Sequence, residues 1–71
     1  RSTVGVIFPS ILTFNTQAAE VMEILAGHCR VKLQGASEWN EYKEDQKFSV
    51  PANSSFEIET SDTLHYVCHF E

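Results

Sequence analysis

Apolar and polar residues alternate with a period of two over most of this chain, which is the signature of half-buried strands. Val4, Val6 and Phe8 share one parity, and Pro9-Ser10 ends that run. Cys29, Val31 and Leu33 alternate with Arg30, Lys32 and Gln34, giving a strand with one wet face. Phe48 and Val50 alternate with Lys47 and Ser49, and Phe56 and Ile58 with Ser55, Glu57 and Glu59. Over residues 64–70, Leu64, Tyr66, Cys68 and Phe70 fall on one side and His65, Val67 and His69 on the other. Turn-forming groups separate the runs: Ala26-Gly27-His28, Gln34-Gly35-Ala36-Ser37, Pro51-Ala52-Asn53-Ser54 and Thr60-Ser61-Asp62. Short strands spaced in this way predict an all-β sandwich or barrel. Residues 17–25 have some helical propensity, but apolar positions on both parities and a stop at Gly27 fit a buried strand at least as well.

A length of 71 residues allows one small domain, spanning 1–71, whose core gives little stability on its own. Association into a homodimer is the expected remedy. Two cysteines, Cys29 and Cys68, are too few for a disulfide framework, and together with His28, His65 and His69 they make no familiar zinc spacing. A net charge of −5 with scattered basic residues argues against nucleic acid or an anionic membrane as partner. Neither a membrane-length apolar run nor a charged-then-apolar leader is present, so a cytoplasmic home is expected. Because the first residue is Arg1 rather than Met, the chain is expected to lack an N-terminal segment.

The spacing Glu20-x6-Gly27, followed by Asp45-x5-Pro51-x-Asn53-x2-Phe56, resembles the frame of the two cupin motifs. The histidines that hold a metal in that frame are missing. Where a His-x-His pair belongs, the chain has Phe14 with Thr16, or Thr13 with Asn15, and the second motif's histidine is Phe56. Glu20 alone remains, and one carboxylate cannot satisfy a cation that needs three or more protein ligands. The expectation is a small, jelly-roll-like cupin β-barrel that binds no metal.

Dispersed positions carry a more specific resemblance along the whole chain. Val4-Gly5-Val6, Thr13-Phe14, Glu20 with Met22 and Gly27, Trp39, Phe48 with Val50-Pro51, Phe56, and Tyr66 with Cys68 follow the order and spacing of the bacterial pyrimidine/purine nucleoside phosphorylases, a cupin family. That resemblance implies a dimeric enzyme that splits purine and pyrimidine nucleosides with inorganic phosphate, giving free base and pentose 1-phosphate. It implies phosphate as co-substrate and no other cofactor.

Phosphorolysis requires a hold on phosphate, tolerance of a sugar cation, and stabilisation of the departing base. Arg1 is the candidate for phosphate, since it matches an arginine in the family pattern and a guanidinium offers two parallel charge-assisted bonds. Ser2 and Thr3 follow it with hydroxyl donors. The competing reading of Arg1 is a solvated charge, and Arg30, on a wet strand face, is taken as surface. Glu20 is the candidate catalytic group, because a carboxylate accepts hydrogen bonds from ribose hydroxyls and favours positive charge on the ring. It shares parity with Met22 and Ile24, which points it inward; an inward face made of Val21, Glu23 and Leu25 would leave it in solvent. Phe56 and Tyr66 are candidates for stacking on the base, against a competing reading as plain core. Thr16, with Thr13 and Asn15, is polar where a buried strand prefers Val or Ile, which suits a sugar or phosphate but also a simple turn.

The remaining polar residues read as structure. His28, His65 and His69 are surface positions, with His69 a minor candidate for proton transfer near the base. Cys29 and Cys68 are small buried hydrophobes. Trp39 anchors an edge strand, and Glu38, Glu41, Glu44 and Asp45 form a solvated rim that would repel phosphate and is expected away from the cavity. Two other functions stay open at this point: a metal-free module that binds a small molecule without chemistry, and a barrel that serves only association. Arg1 with Ser2 and Thr3 separates the phosphorylase from the neutral-ligand binder, which has no use for an anion site.

Overall fold

The computed structural model describes residues 1–70. Its strands are β1 (Ser2–Ile7), β2 (Ser10–Asn15), β3 (Glu20–Ala26), β4 (His28–Leu33), β5 (Asn40–Lys43), β6 (Lys47–Val50), β7 (Ser55–Thr60) and β8 (Leu64–Phe70). They form two four-stranded sheets, ordered β1-β8-β3-β6 and β2-β7-β4-β5, and every pairing is antiparallel. Consecutive strands cross from one sheet to the other at every connection except β4 to β5. The all-β class expected from the alternation is therefore present, but as a pair of open sheets rather than one closed barrel. The edge strands β1 and β6 of one sheet do not pair with β2 and β5 of the other, so both seams stay open.

The core is the space between the sheets. Met22, Ile24, Leu64 and Cys68 enter from one sheet, and Cys29, Val31, Phe56 and Ile58 from the other. Ile24, Ile58 and Leu64 are fully shielded, and burying each such side chain contributes about 1.5–3 kcal/mol. Phe48 bridges Tyr42 and Phe56, with ring centroids 4.8 and 5.7 Å away. Residues 17–25, open between helix and strand on sequence, become β3 from Glu20 onward, because both flanks are paired, one to β6 and one to β8. Tertiary pairing overrides the local propensity. Leu25 is exposed on the outward parity it shares with Val21 and Glu23, at a register shift between Ile24 and Ala26.

On β1 the Val4 and Val6 parity faces solvent, and the other parity faces in. Ile7 is buried and Gly5 lies directly opposite Tyr66 on β8. A Cβ at Gly5 would overlap the outer end of the Tyr66 ring, falling 2.8 Å from Cε1 and closer still to the hydroxyl. The bare backbone of Gly5 is the seat on which that ring lies. Among the described residues no helix is long and apolar enough to cross a membrane.

Candidate active site

Where β1, β3 and β8 of one sheet face β2 and β7 of the other, the interior opens into a cavity of about 220 Å³ walled by Phe14, Glu20, Tyr66, Cys68 and Phe70, with Thr3 at its side. A cleft of about 370 Å³ adjoins it, shares Asn15, Glu20 and Phe70 with it, and adds Arg1, Thr16 and Gln17. Strand alternation explains the lining. Thr3, Glu20, Tyr66, Cys68 and Phe70 occupy the inward parity of their strands, and Phe14 lies opposite Phe56 in the β2–β7 pairing.

Glu20 is only 8% exposed, and it takes part in no ion pair among the described residues. Its Oε2 accepts a hydrogen bond from the Cys68 thiol. A buried carboxylate without a cation is energetically expensive, so a site holding one is suited to a ligand that brings positive charge or donors. Burial, then the hydrogen bond to Glu20, then its charge push the Cys68 thiol up to about 12. Cys68 therefore stays protonated at neutral pH and acts as a donor, not a nucleophile. Burial first, with Cys68 and Glu20 adding to it, also raises the Tyr66 phenol, which keeps its proton.

Arg1 stands at the mouth of the cleft with its guanidinium 4.8 Å above the Phe70 ring, and its carbonyl accepts from the Phe70 N–H at 2.8 Å. Backbone and side chain are thus both tied to Phe70, while the guanidinium edge remains exposed. Phe56 lines the cavity together with Phe14, on which it stacks at 5.4 Å, and is otherwise buried. Two residues fall elsewhere than their expected role requires. Ser2 has the outward parity, opposite His69, because successive residues of a strand point to opposite faces. Thr16 borders the cleft, but its hydroxyl donates to the Pro51 carbonyl at 2.8 Å and accepts from the Ser54 N–H at 2.9 Å. It braces the 51–54 turn and has no free proton for a ligand.

Phe14, Phe70 and Cys68 belong to the site although the sequence reading gave none of them a role there. The alternation Tyr66, Cys68, Phe70 was the available signal for two of them. Two more hollows, of about 320 and 610 Å³, lie around His28 and Glu41. Glu41 and Glu59 outnumber Arg30 in one, and Glu41 and Glu44 outnumber Lys43 in the other, so the charge of both disfavours an anionic co-substrate. None of the acidic rim residues Glu38, Glu41, Glu44 and Asp45 lines the Glu20 cavity. Arg30 is held outside by Glu59 and lies 5.0 Å from the Trp39 ring. Among the described residues no three His, Cys, Asp or Glu side chains group as metal ligands.

Known proteins match this sequence and this fold. A family model described as pyrimidine/purine nucleoside phosphorylase matches residues 1–70. A pyrimidine/purine nucleoside phosphorylase of Herminiimonas arsenicoxydans is 66% identical over 70 residues, covering 99% of this chain and 67% of the relative. The chain thus spans about two thirds of that relative's length. A crystal structure of a protein of unknown function from Acinetobacter sp. ADP1 superposes with a TM-score of 0.96 at 49% identity, over 99% of this chain and 69% of that one. A Schizosaccharomyces pombe cupin domain, 19% identical, superposes at 0.69 over 99% of this chain and 53% of that one, a likeness of fold alone. From the match over 1–70 and the identity to the Herminiimonas protein, the chain belongs to the pyrimidine/purine nucleoside phosphorylase family.

Proposed function

We propose that the protein cleaves purine and pyrimidine nucleosides with inorganic phosphate, and that the cavity and cleft joined at Glu20 are where it does so. The observation that carries this reading is the shielded, cation-free Glu20 carboxylate at the meeting point of an aromatic-walled cavity and a cleft with Arg1 at its mouth. A phosphate oxygen forms a bond to C1′ of the pentose while the bond from C1′ to the base nitrogen breaks. Its electron pair leaves with the base, which takes up the proton that hydrogen phosphate gives up as its oxygen bonds to carbon. Glu20 faces the positive charge that grows on the sugar between the two events. Phe14, Tyr66 and Phe70 offer ring surfaces that any base can stack on, which accounts for tolerance of purines and pyrimidines alike. Tyr66, kept protonated, supplies a hydroxyl donor, and Thr3 another.

Release of free base from uridine and inosine, with and without phosphate, tests the proposal. Turnover of neither overturns it and leaves a binding module or a barrel that serves only association. Replacing Arg1 by Ala is expected to lower kcat/KM by about 30- to 150-fold, the equivalent of losing a charge-assisted bond of roughly 2–3 kcal/mol, with most of the loss appearing in phosphate dependence. Arg1→Lys recovers part, since an ammonium lacks the fork. An unchanged phosphate KM in Arg1→Ala removes Arg1 from the anion site.

The reading extends to features around the site. Phosphate is the co-substrate and no metal or other cofactor takes part, a view supported by Phe56, and by Phe14 with Thr16 or Thr13 with Asn15, standing where the cupin frame carries histidines; chelator should leave turnover unchanged. The two sheets form a flattened jelly-roll barrel with seams at the β1–β2 and β5–β6 edges, a description that the strand order supports. The protein works in the cytoplasm, where its free, buried Cys29 and Cys68 remain reduced. It also works as a homodimer. Val4 and Phe8, 78% and 72% exposed, continue through Val6 and Ile11 into an apolar strip along the two edge strands, more than a monomer of this size comfortably leaves in water. Sedimentation at micromolar concentration is expected to give twice the chain mass, and a folded monomer there would overturn the assembly.

A further inference from the structure

Glu20 and Cys68 are side chains of adjacent strands, β3 and β8, and the register sets Cys68 beside Met22, one diagonal step from Glu20. The thiol donates to Oε2 and is the carboxylate's partner from the protein. The other oxygen, Oε1, has no protein partner among the described residues and is not sealed from solvent, since no buried side-chain oxygen is left without a hydrogen bond. It is therefore open to the joined cavity and cleft that Glu20 lines. Two carboxylate oxygens that would otherwise be equivalent are thereby given different tasks.

We propose that Cys68 is a positioning residue for the phosphorolysis reaction: its S–H pins one oxygen of Glu20 and so holds the other toward the sugar. A carboxylate at the end of a flexible side chain loses rotamer freedom when it must face a transition state, and a fixed donor removes that loss before substrate arrives. A neutral donor serves here better than Lys or Arg. A cation at that distance would cancel the negative charge on which the proposed role of Glu20 depends, whereas a thiol orients the carboxylate and leaves its charge available. Protonation is secure, since burial and the neighbouring carboxylate keep the thiol far from ionising at neutral pH. The inference rests on the reading of Glu20 as the group that faces the sugar.

The test compares Cys68→Ser, Cys68→Val and Cys68→Ala in the full-length enzyme, measuring phosphorolysis of uridine at varied phosphate together with thermal unfolding. Serine retains a donor, valine retains the apolar volume, and alanine retains neither. The positioning role gives a kcat within a few-fold of the parent for Ser, a fall of about tenfold for Val and Ala, and an unchanged phosphate KM in all three. A role in packing alone gives the reverse order, with Val holding kcat and Ser losing it through instability, and that order overturns the proposal. Equal kcat in all three also overturns it. The same three changes made on top of Glu20→Gln separate this proposal from the reading beneath it. If Glu20→Gln is impaired and the Cys68 changes then cost nothing further, the two residues act as one unit. If Glu20→Gln is fully active, the role of Glu20 falls, and the positioning role of Cys68 falls with it.

Discussion

Glu20→Gln is expected to lower kcat by about 10²- to 10³-fold, the range found when a preorganised electrostatic partner of a transition state is removed, while the KM for phosphate stays near the parent value. The amide has nearly the carboxylate's shape and still reaches Cys68, so what is lost is charge. That charge matters only when the sugar is cationic, hence the effect on kcat rather than on substrate binding. Stability should move the other way. Glu20 is shielded and has no cation beside it, and replacing it with a neutral side chain relieves the desolvation of that charge, so the variant is expected to unfold at the same temperature as the parent or a higher one. Steady-state kinetics with thermal unfolding on the same sample gives both readings. A fully active Gln variant removes Glu20 from the chemistry, and a variant that loses activity only by unfolding identifies it as structural.

Gly27→Ala is expected to destabilise the protein by about 2–4 kcal/mol, which for a domain of this size lowers Tm by roughly 10–30 °C. Two separate effects add. Gly27 has φ +91°, a left-handed conformation in which a Cβ costs about 1–2 kcal/mol. The added Cβ would also lie 2.7 Å from the Thr63 carbonyl oxygen, a backbone atom that cannot swing aside. Gly35 provides the control, with φ +82° and nothing within 4 Å of its would-be Cβ. Gly35→Ala should therefore show the conformational part alone. If the two alanine variants lose the same stability, the contact with Thr63 contributes nothing, and the tight corner between β3 and β4 is looser than its geometry implies.

Much of this architecture was legible in the alternation, because a strand buried on one face writes its orientation into every second residue. Cys29 with Val31, Phe48 with Val50, and Phe56 with Ile58 all face inward as their parity requires. The inward side of Glu20 followed from Met22 and Ile24, although the sequence also allowed the opposite face. Strands β2 and β5 were not legible. In β2 five of the six residues are exposed, whatever their parity, and β5 is mostly polar, so neither writes a period of two. Missing β2 hid Phe14, whose place on the cavity wall comes from pairing with Phe56, 42 positions along the chain (56 − 14). Thr16 could not have been read locally either, since the groups that occupy its hydroxyl are 35 and 38 positions away. Ser2 was a different matter. Neighbours in a strand cannot both face the interior, so Ser2 and Thr3 were alternatives from the start.

The strand order carries a consequence for how the protein comes into being. β8 lies between β1 and β3, and β1 has no other partner in the sheet. Thr3 rides on β1, with Arg1 just before it, and Tyr66, Cys68 and Phe70 ride on β8, so the pocket wall is complete only with β8 in the gap. That insertion closes a loop of nearly the whole chain, the slowest kind of contact for a folding polypeptide to make. A chain without β8 therefore lacks at once the partner of β1 and the Tyr66, Cys68 and Phe70 wall of the pocket.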